Sequence, residues 1–446
     1  MTDNFQGTDQ AKLKALVSQV LDQAHDAGAS SAEAGVSVET GLSVTARLGE
    51  VETIEHHNDR GLGVTVYFDQ RKGSASTSDL SETALQETVD AACRIARYTA
   101  ADEFSGLADV DRMATQFPDL DLYHPWELSA DKAIELTLEC ETAARDLDSR
   151  IVNSEGASLN SHRGLRVYGN SHGFLAARVS SRHSIDCSLI SQDEKGMQRD
   201  YWYSVARAAQ DLESPRQIGI KAGERALRRL GGQQLSTRQA PVIFAAEVAT
   251  SLIGHLLGAI QGTAQYRQAS FLLDHIGKKI FPDFVRLHEQ PHLPRALGST
   301  AFDAEGVATV DRDIVSGGVL QSYVLGSYSA RKLGMESTGN AGGVHNLSLD
   351  AGDKNLDQLL ADMDTGFLVT ELMGQGVNNV TGDYSRGAAG FWVEKGKIAY
   401  PVEEVTIAGH LRDMFAGIIA VGTDTELRGN IRTGSIMLDN LTIAGS

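Results

Sequence analysis

From Val242 to Ile260 the chain is almost wholly apolar, broken only by Glu247, Thr250, Ser251, His255 and the small residues Gly254 and Gly258. So long a run has to be buried. The residues VIFA read as a strand that runs into a buried helix. A membrane span is the rival, because the run approaches bilayer length. Flanking Lys and Arg anchors are missing and a Glu sits inside it, which favours a helix packed as protein core. His255 is the one common metal-ligand type in the segment, and neither Cys nor a second His lies within one helical turn of it. Zinc needs three or four well-placed ligands, so a single imidazole on an apolar helix reads as a hydrogen-bonded core residue.

A chain of 446 residues should bury two or three cores. Its net charge of -19 opposes binding to polyphosphate backbones, which works through Lys and Arg, so no nucleic-acid partner is expected. Cys93, Cys140 and Cys187 are widely separated, odd in number and form no C-x-x-C pair. They read as reduced thiols rather than a disulfide framework or a zinc ribbon. The start, MTDNFQGTDQAK, is polar and acidic and carries no apolar signal region. A cytoplasmic location, away from membranes, is the expectation.

Apolar residues recur at helical spacing between Asp9 and Ala27, and Gly28 follows as a stop. Period-two alternation punctuated by Gly and Asn-Asp then runs from Ala32 to Thr77, as in a meander of strands, and a second helix is predicted over Leu80 to Tyr98. Residues 1–110 therefore read as an N-terminal α/β domain. Ser129 can cap a helix reaching about Asp146, after which alternation returns through Ser191; with the helix opened by Ser214-Pro215 and closed by Gly231-Gly232, this makes a central α/β domain over 111–232. GLGVTVY at 61–67 and GLRVY at 164–168 echo one another, which leaves open an internal duplication or a chance likeness of strands. The remainder, 240–446, holds the apolar helix, short Gly-rich strands and a capped helix starting at Asn355, a pattern that points to a curved or barrel-like sheet. The expected class is α+β and multidomain: two α/β units with antiparallel sheets, then a C-terminal β domain holding a buried helix.

Four constellations could carry chemistry. Gly169-Asn170-Ser171-His172-Gly173 matches the nucleophile-elbow pattern, but strand-like alternation on both sides makes a hairpin turn the better reading. His56-His57 with Asp59, and His288-Glu289 with His292, read as surface polar loops, since adjacent residues on a strand face opposite ways and the second group lacks a helix to align it. Asp303, Glu305, Asp311 and Asp313 do not reproduce a calcium loop and read as a solvated turn. STGNAGGVHN at 337–346 lacks the Lys of a phosphate loop and reads as a flexible loop lining a groove.

The chain resembles the TldD/PmbA family, specifically its PmbA (TldE) branch, along essentially its whole length. The clearest matches are 61–77, the apolar segment, FDAEGVATVDRDIVSGGVLQSYVLGSYSARKLGMESTGNAGG at 302–343, AYPVEEVTIAGHLRDMFAGI and LDNLTIAG. In the TldD branch the matching helix carries His-Glu-x-x-x-His and a later Cys adds a zinc ligand. Here the His positions fall on Ile253 and Gly258, the Glu falls on Gly254, and Gly422 to Asn440 contains no Cys. The resemblance thus implies no catalytic or metal-binding residue in this chain and no cofactor of its own. It implies a partner, a TldD-type homologous subunit carrying the zinc, in a complex that degrades unfolded peptides and removes leader sequences. His255, Gln261, Tyr266 and Arg267 are the candidates for contact with partner or peptide. A non-proteolytic regulatory protein, fitting the family's label as a modulator of DNA gyrase, is the alternative; a stand-alone hydrolase ranks last. Whether the isolated chain forms a homodimer stays open.

Overall fold

In the computed structural model, which describes residues 8–445, the alternating segments of the N-terminal half join into one sheet. The first seven residues, which hold most of the polar stretch weighed above for a signal, lie outside the described residues. Helix α1 (Thr8–Asp26) leads into strands β1 (Ser31–Arg47), β2 (Glu50–Phe68) and β3 (Arg71–Thr77), then α2 (Glu82–Tyr98). The next segment repeats that order: α3 (Ala130–Arg145), β4 (Ile151–Asn170), β5 (Leu175–Asp193), β6 (Gly196–Ala206) and α4 (Pro215–Arg228). Hydroxyls set the helix starts where capping chemistry predicts. Ser81, Ser129 and Ser214 accept from the backbone N–H groups of Ala84, Lys132 and Gln217.

The two segments meet along β1 and β4, giving the sheet order β3-β2-β1-β4-β5-β6. Each half is a helix, a three-stranded meander and a helix, with the first strands in the middle. The echoing residues do not mark this repeat: GLGVTVY lies on the second strand of its half and GLRVY on the first strand of the other. All four helices cover one face. Val36, Val64 and Val167 pack under α1 and α2, while Val44, Leu159 and Ile185 pack under α3 and α4. Alternation places Gly35, Arg166 and Tyr168 on the opposite face.

Beyond α4 come β7 (Arg238–Phe244), α5 (Ala246–Ile260), α6 (Gly262–Tyr266), β8 (Leu287–Glu289), β9 (Arg312–Ser316), β10 (Val319–Leu320), α7 (Ser327–Leu333) and β11 (Leu347–Leu349). They are followed by α8 (Leu356–Met363), β12 (Gly366–Met373), β13 (Asp383–Glu394), β14 (Lys397–His410), α9 (Leu411–Ala416), β15 (Ile418–Val421), β16 (Ile431–Arg432) and β17 (Ile436–Ala444). Strands β14-β13-β12-β7-β17 form a closed five-stranded barrel, because β17 pairs back onto β14 with Ile443 opposite Ile407. Closure leaves this sheet without free edges except where β15 adds to β17. A second sheet has the order β10-β9-β8-β11-β16.

Helix α5, 15 residues long, buries Ala249, Leu252, Ile253, Leu256, Ala259 and Ile260 in a core shared with both C-terminal sheets. Each large side chain buried this way contributes about 1.5–3 kcal/mol, which explains why so apolar a segment is a helix inside protein. No described helix is long and apolar enough to cross a membrane.

Candidate functional site

The two sequence regions that would have to carry zinc ligands, α5 and the loop 422–440, are brought together in space. The Ala246 N–H donates to Ser435 Oγ at 3.1 Å, and Ser435 in turn donates its N–H and hydroxyl to the Asp424 carboxylate at 3.0 and 2.6 Å. Beside this junction lies a cavity of about 590 Å³, walled by β6, α4, the first turns of α5, β12 and the loop. Gly254 opens onto it: a Cβ built there meets nothing within 4 Å. Ile253 is instead fully buried in the core, and a Cβ on Gly258 would fall 2.6 Å from Asn379 Nδ2.

Where a metal site would need free carboxylates and imidazoles, the cavity holds paired charges. Arg225 binds Asp200 at 3.0 Å and Glu247 at 2.6 Å, while Arg229 binds Glu371 at 2.5 Å and reaches Asp200 at 3.7 Å. Arg428 donates its Nε to both oxygens of Glu426 at 2.8 and 3.0 Å and lies 3.9 Å from Glu247. Burial pushes the Glu426 carboxyl up, but the Arg428 bonds outweigh it and hold the group below the usual range. Trp202 forms the aromatic wall, with Lys221 and Arg428 over its ring at 3.6 and 3.9 Å and its Nε1 donating to Glu213 at 3.1 Å. Tyr203 takes Arg428 over its ring at 4.3 Å.

These residues do not fit a zinc ion of the peptidase type, which takes three protein ligands and a water. Among the described residues no group of three or more His, Cys, Asp or Glu is placed to hold a metal. Asp200, Glu247, Glu371 and Glu426 are each engaged by guanidinium groups, which repel a further cation.

Family models for the PmbA/TldA metallopeptidases match in three consecutive pieces: domain 1 over residues 32–96, the central domain over 123–230 and the C-terminal domain over 237–445. The chain belongs to the PmbA/TldD family. A Haemophilus influenzae protein named metalloprotease PmbA homolog is 53% identical over 98% of this chain and 96% of its own length. Metalloprotease PmbA of Escherichia coli O157:H7 is 52% identical over 97% of this chain and 96% of its own. Among solved structures, a Bacteroides thetaiotaomicron protein described as a suggested modulator of DNA gyrase is 31% identical, with a TM-score of 0.93 over 98% of this chain and 99% of that one. TldE of Thermococcus kodakarensis, 20% identical with a TM-score of 0.85 over 96% of this chain and 100% of that one, shares the fold.

In this PmbA-type chain the four residues singled out for contacts do not line the cavity over Gly254. The His255 ring meets Tyr384 edge-on at 5.8 Å, and its enclosed Nε2 has no hydrogen-bond partner among the described residues. Burial, then the nearby Arg386, lowers its pKa. Gln261 is exposed at the junction of α5 and α6; Tyr266 packs edge-on against Tyr328 at 5.8 Å, with the exposed Arg267 over its ring at 5.8 Å. The residues that build the cavity, Trp202, Arg225, Glu247, Glu426 and Arg428, were not singled out from the sequence. Glu247 inside an apolar run was the one available signal.

Two of the polar clusters depart from their sequence reading. Glu289, read as part of a surface loop, lies on β8 and is 2% exposed, because Arg312, Asn340 and the His345 N–H all donate to its carboxylate. Asp303, read as part of a solvated turn, is buried and accepts from the N–H groups of Glu305, Val307 and Ala341 at 2.9, 3.0 and 2.8 Å. Burial pushes its carboxyl up to about 6. His57 sits on β2 rather than in a loop, within 3.0 Å of Ser43 Oγ. The stretch around Ser171 is the hairpin turn between β4 and β5, its hydroxyl accepting from the Ala32 N–H at 3.0 Å.

Proposed function

We propose that this chain is the non-catalytic PmbA/TldE-type subunit of a TldD/TldE zinc metallopeptidase complex that cleaves unfolded peptides and processes leader peptides in the cytoplasm. The observation that carries this reading is Gly254. The helix turn where the TldD branch presents its general base opens here onto a cavity with no side chain, and the surrounding carboxylates are bound to arginines. In the complex the TldD-type partner supplies the zinc and the base. This chain supplies a rigid wall, held by the Arg225, Arg229 and Arg428 network and faced by Tyr201, Trp202 and Tyr203. The names of the close relatives as metalloproteases support the reaction class, and a TldE among the structures of this fold supports the pairing.

The test is reconstitution. The purified chain, a TldD-type homologous subunit and their mixture are compared for assembly by light scattering and for cleavage of an unstructured peptide. Assembly with cleavage dependent on the mixture is the expected result. Two chains that neither assemble nor cleave together would transfer the reading to the non-proteolytic interaction protein.

A further inference from the structure

A cavity of about 780 Å³ lies on the helix-free face of the six-stranded sheet, bounded on its other side by segments 297–304 and 341–345 of the C-terminal domain. Three arginines enter it. Arg166 on β4 and Arg178 on β5 are direct register partners, and Arg207 follows the end of β6. Among the described residues Arg178 has no hydrogen bond and no ion pair, and only burial and then Arg166 act on its charge. Arg207 donates to the carbonyls of Ser181 and Leu297 at 2.9 and 2.7 Å, but its enclosed Nε has no partner. Burial, Arg178 and Arg182 together lower it to about 10. His345 also lines the cavity, and burial lowers its pKa against the opposing effect of Glu289, with Arg178 adding to the lowering.

Asp303 is the one carboxylate in the lining, and it is bonded to the N–H groups of Glu305, Val307 and Ala341 rather than to an arginine. No carboxylate acts on the charge of Arg178 or Arg207. Arg166 is exposed and Arg178 half-buried, and only the Arg207 Nε is fully enclosed without a partner; a guanidinium drawn out of water without a partner is costly, and its planar fork matches an oxyanion. In a chain of net charge -19 the concentration is selective. The cavity also exceeds what an inorganic ion needs, and it has the size of sites that take small organic ligands. Gly61 and Gly63 leave room beside the strands: a Cβ on Gly63 meets nothing within 4 Å.

We infer that this cavity binds the carboxylate of a peptide chain end, with Arg178 as the pairing group and Arg166, Arg207 and His345 around it. The choice of a peptide rests on the proposed function; the choice of a carboxylate rests on the arginines. The experiment uses the isolated full chain in calorimetric titrations with a short unstructured peptide ending in a free carboxylate, the same peptide amidated, and inorganic phosphate. The free acid should bind and the amide should bind at least tenfold more weakly. Arg178→Gln should bring the acid down to the level of the amide without lowering the melting temperature. Arg166→Gln is the second variant, expected to weaken the acid severalfold, should Arg178→Gln fail to fold. Equal binding of acid and amide, no binding of either peptide, binding of phosphate alone, or undiminished binding by both variants would each overturn the inference. Because these titrations contain no partner subunit, they fail independently of the reconstitution that tests the proposed function.

Discussion

The Arg428 guanidinium stacks 3.9 Å from the Trp202 ring and donates to the Tyr203 carbonyl at 3.0 Å, so the loop between β15 and β16 is pinned to β6, the last strand of the N-terminal sheet. This contact closes the cavity over Gly254 and ties the two halves of the chain at that point.

Replacing Arg428 by Ala should destabilise the chain by about 2–4 kcal/mol, since it leaves Glu426 buried without its partner and removes a cation from the Trp202 face. Glu426 has a depressed pKa when folded, so its stabilising contribution is present above the ordinary Glu range near pH 4.3 and is lost as pH falls below it. The variant should show a flatter acid limb than the parent in chemical denaturation followed from pH 7 to pH 3.

Gly254 and Gly258 should respond oppositely to Ala. At Gly254 the added methyl enters open space, and the helix gains about 0.5–1 kcal/mol from relief of glycine's conformational freedom. At Gly258 it meets Asn379 Nδ2 at 2.6 Å, so Gly258→Ala should be the less stable of the two variants by about 1–2 kcal/mol. Paired thermal denaturation curves read the difference.

Asp186 on β5 has its carboxyl pushed up to about 6 by burial. A raised carboxyl pKa contributes stability below the unfolded value near 3.9 and loses it as pH rises through about 6, so the ionised group is a burden at neutral pH. Asp186→Asn should therefore be more stable than the parent by about 1–3 kcal/mol at pH 7, and the gain should vanish below about pH 4.

The thiols should be silent until the chain unfolds. Cys93, Cys140 and Cys187 are all buried, and Cys140 and Cys187 share one core between α3, α4 and the sheet. The neighbouring Cys187, then burial, raises the Cys140 thiol pKa and disfavours the thiolate. A thiol reagent should label none of the three in the native chain within minutes and all three in guanidinium chloride; fast native labelling of Cys140 or Cys187 would contradict this packing.

Local features were legible in the sequence and distant pairings were not. Helix starts at Ser129, Ser214 and Asn355 follow from side chains that reach only their own first turn. The placement of Ile253, Gly254 and Gly258 on one helix could be read because a single apolar run carries all three. By contrast, the pairing of β1 with β4, which fuses two sequence segments into one sheet, depends on partners such as Val44 and Leu159 that no local period links. The same holds for barrel closure by Ile407 and Ile443. Glu289 and Asp303 were misread because groups that satisfy them arrive from distant segments, Arg312 from β9 and Asn340 and the Ala341 N–H from the loop after α7. Trp202 and Arg428 lie on different domains, and neither belongs to a motif.

The most direct test of the account is metal content measured beside activity on the isolated chain. Elemental analysis after purification in zinc-containing buffer, followed by dialysis, should find well under one zinc per chain, with no cleavage of an unstructured peptide until a TldD-type subunit is added. One tightly held zinc per chain together with cleavage by the chain alone would contradict it.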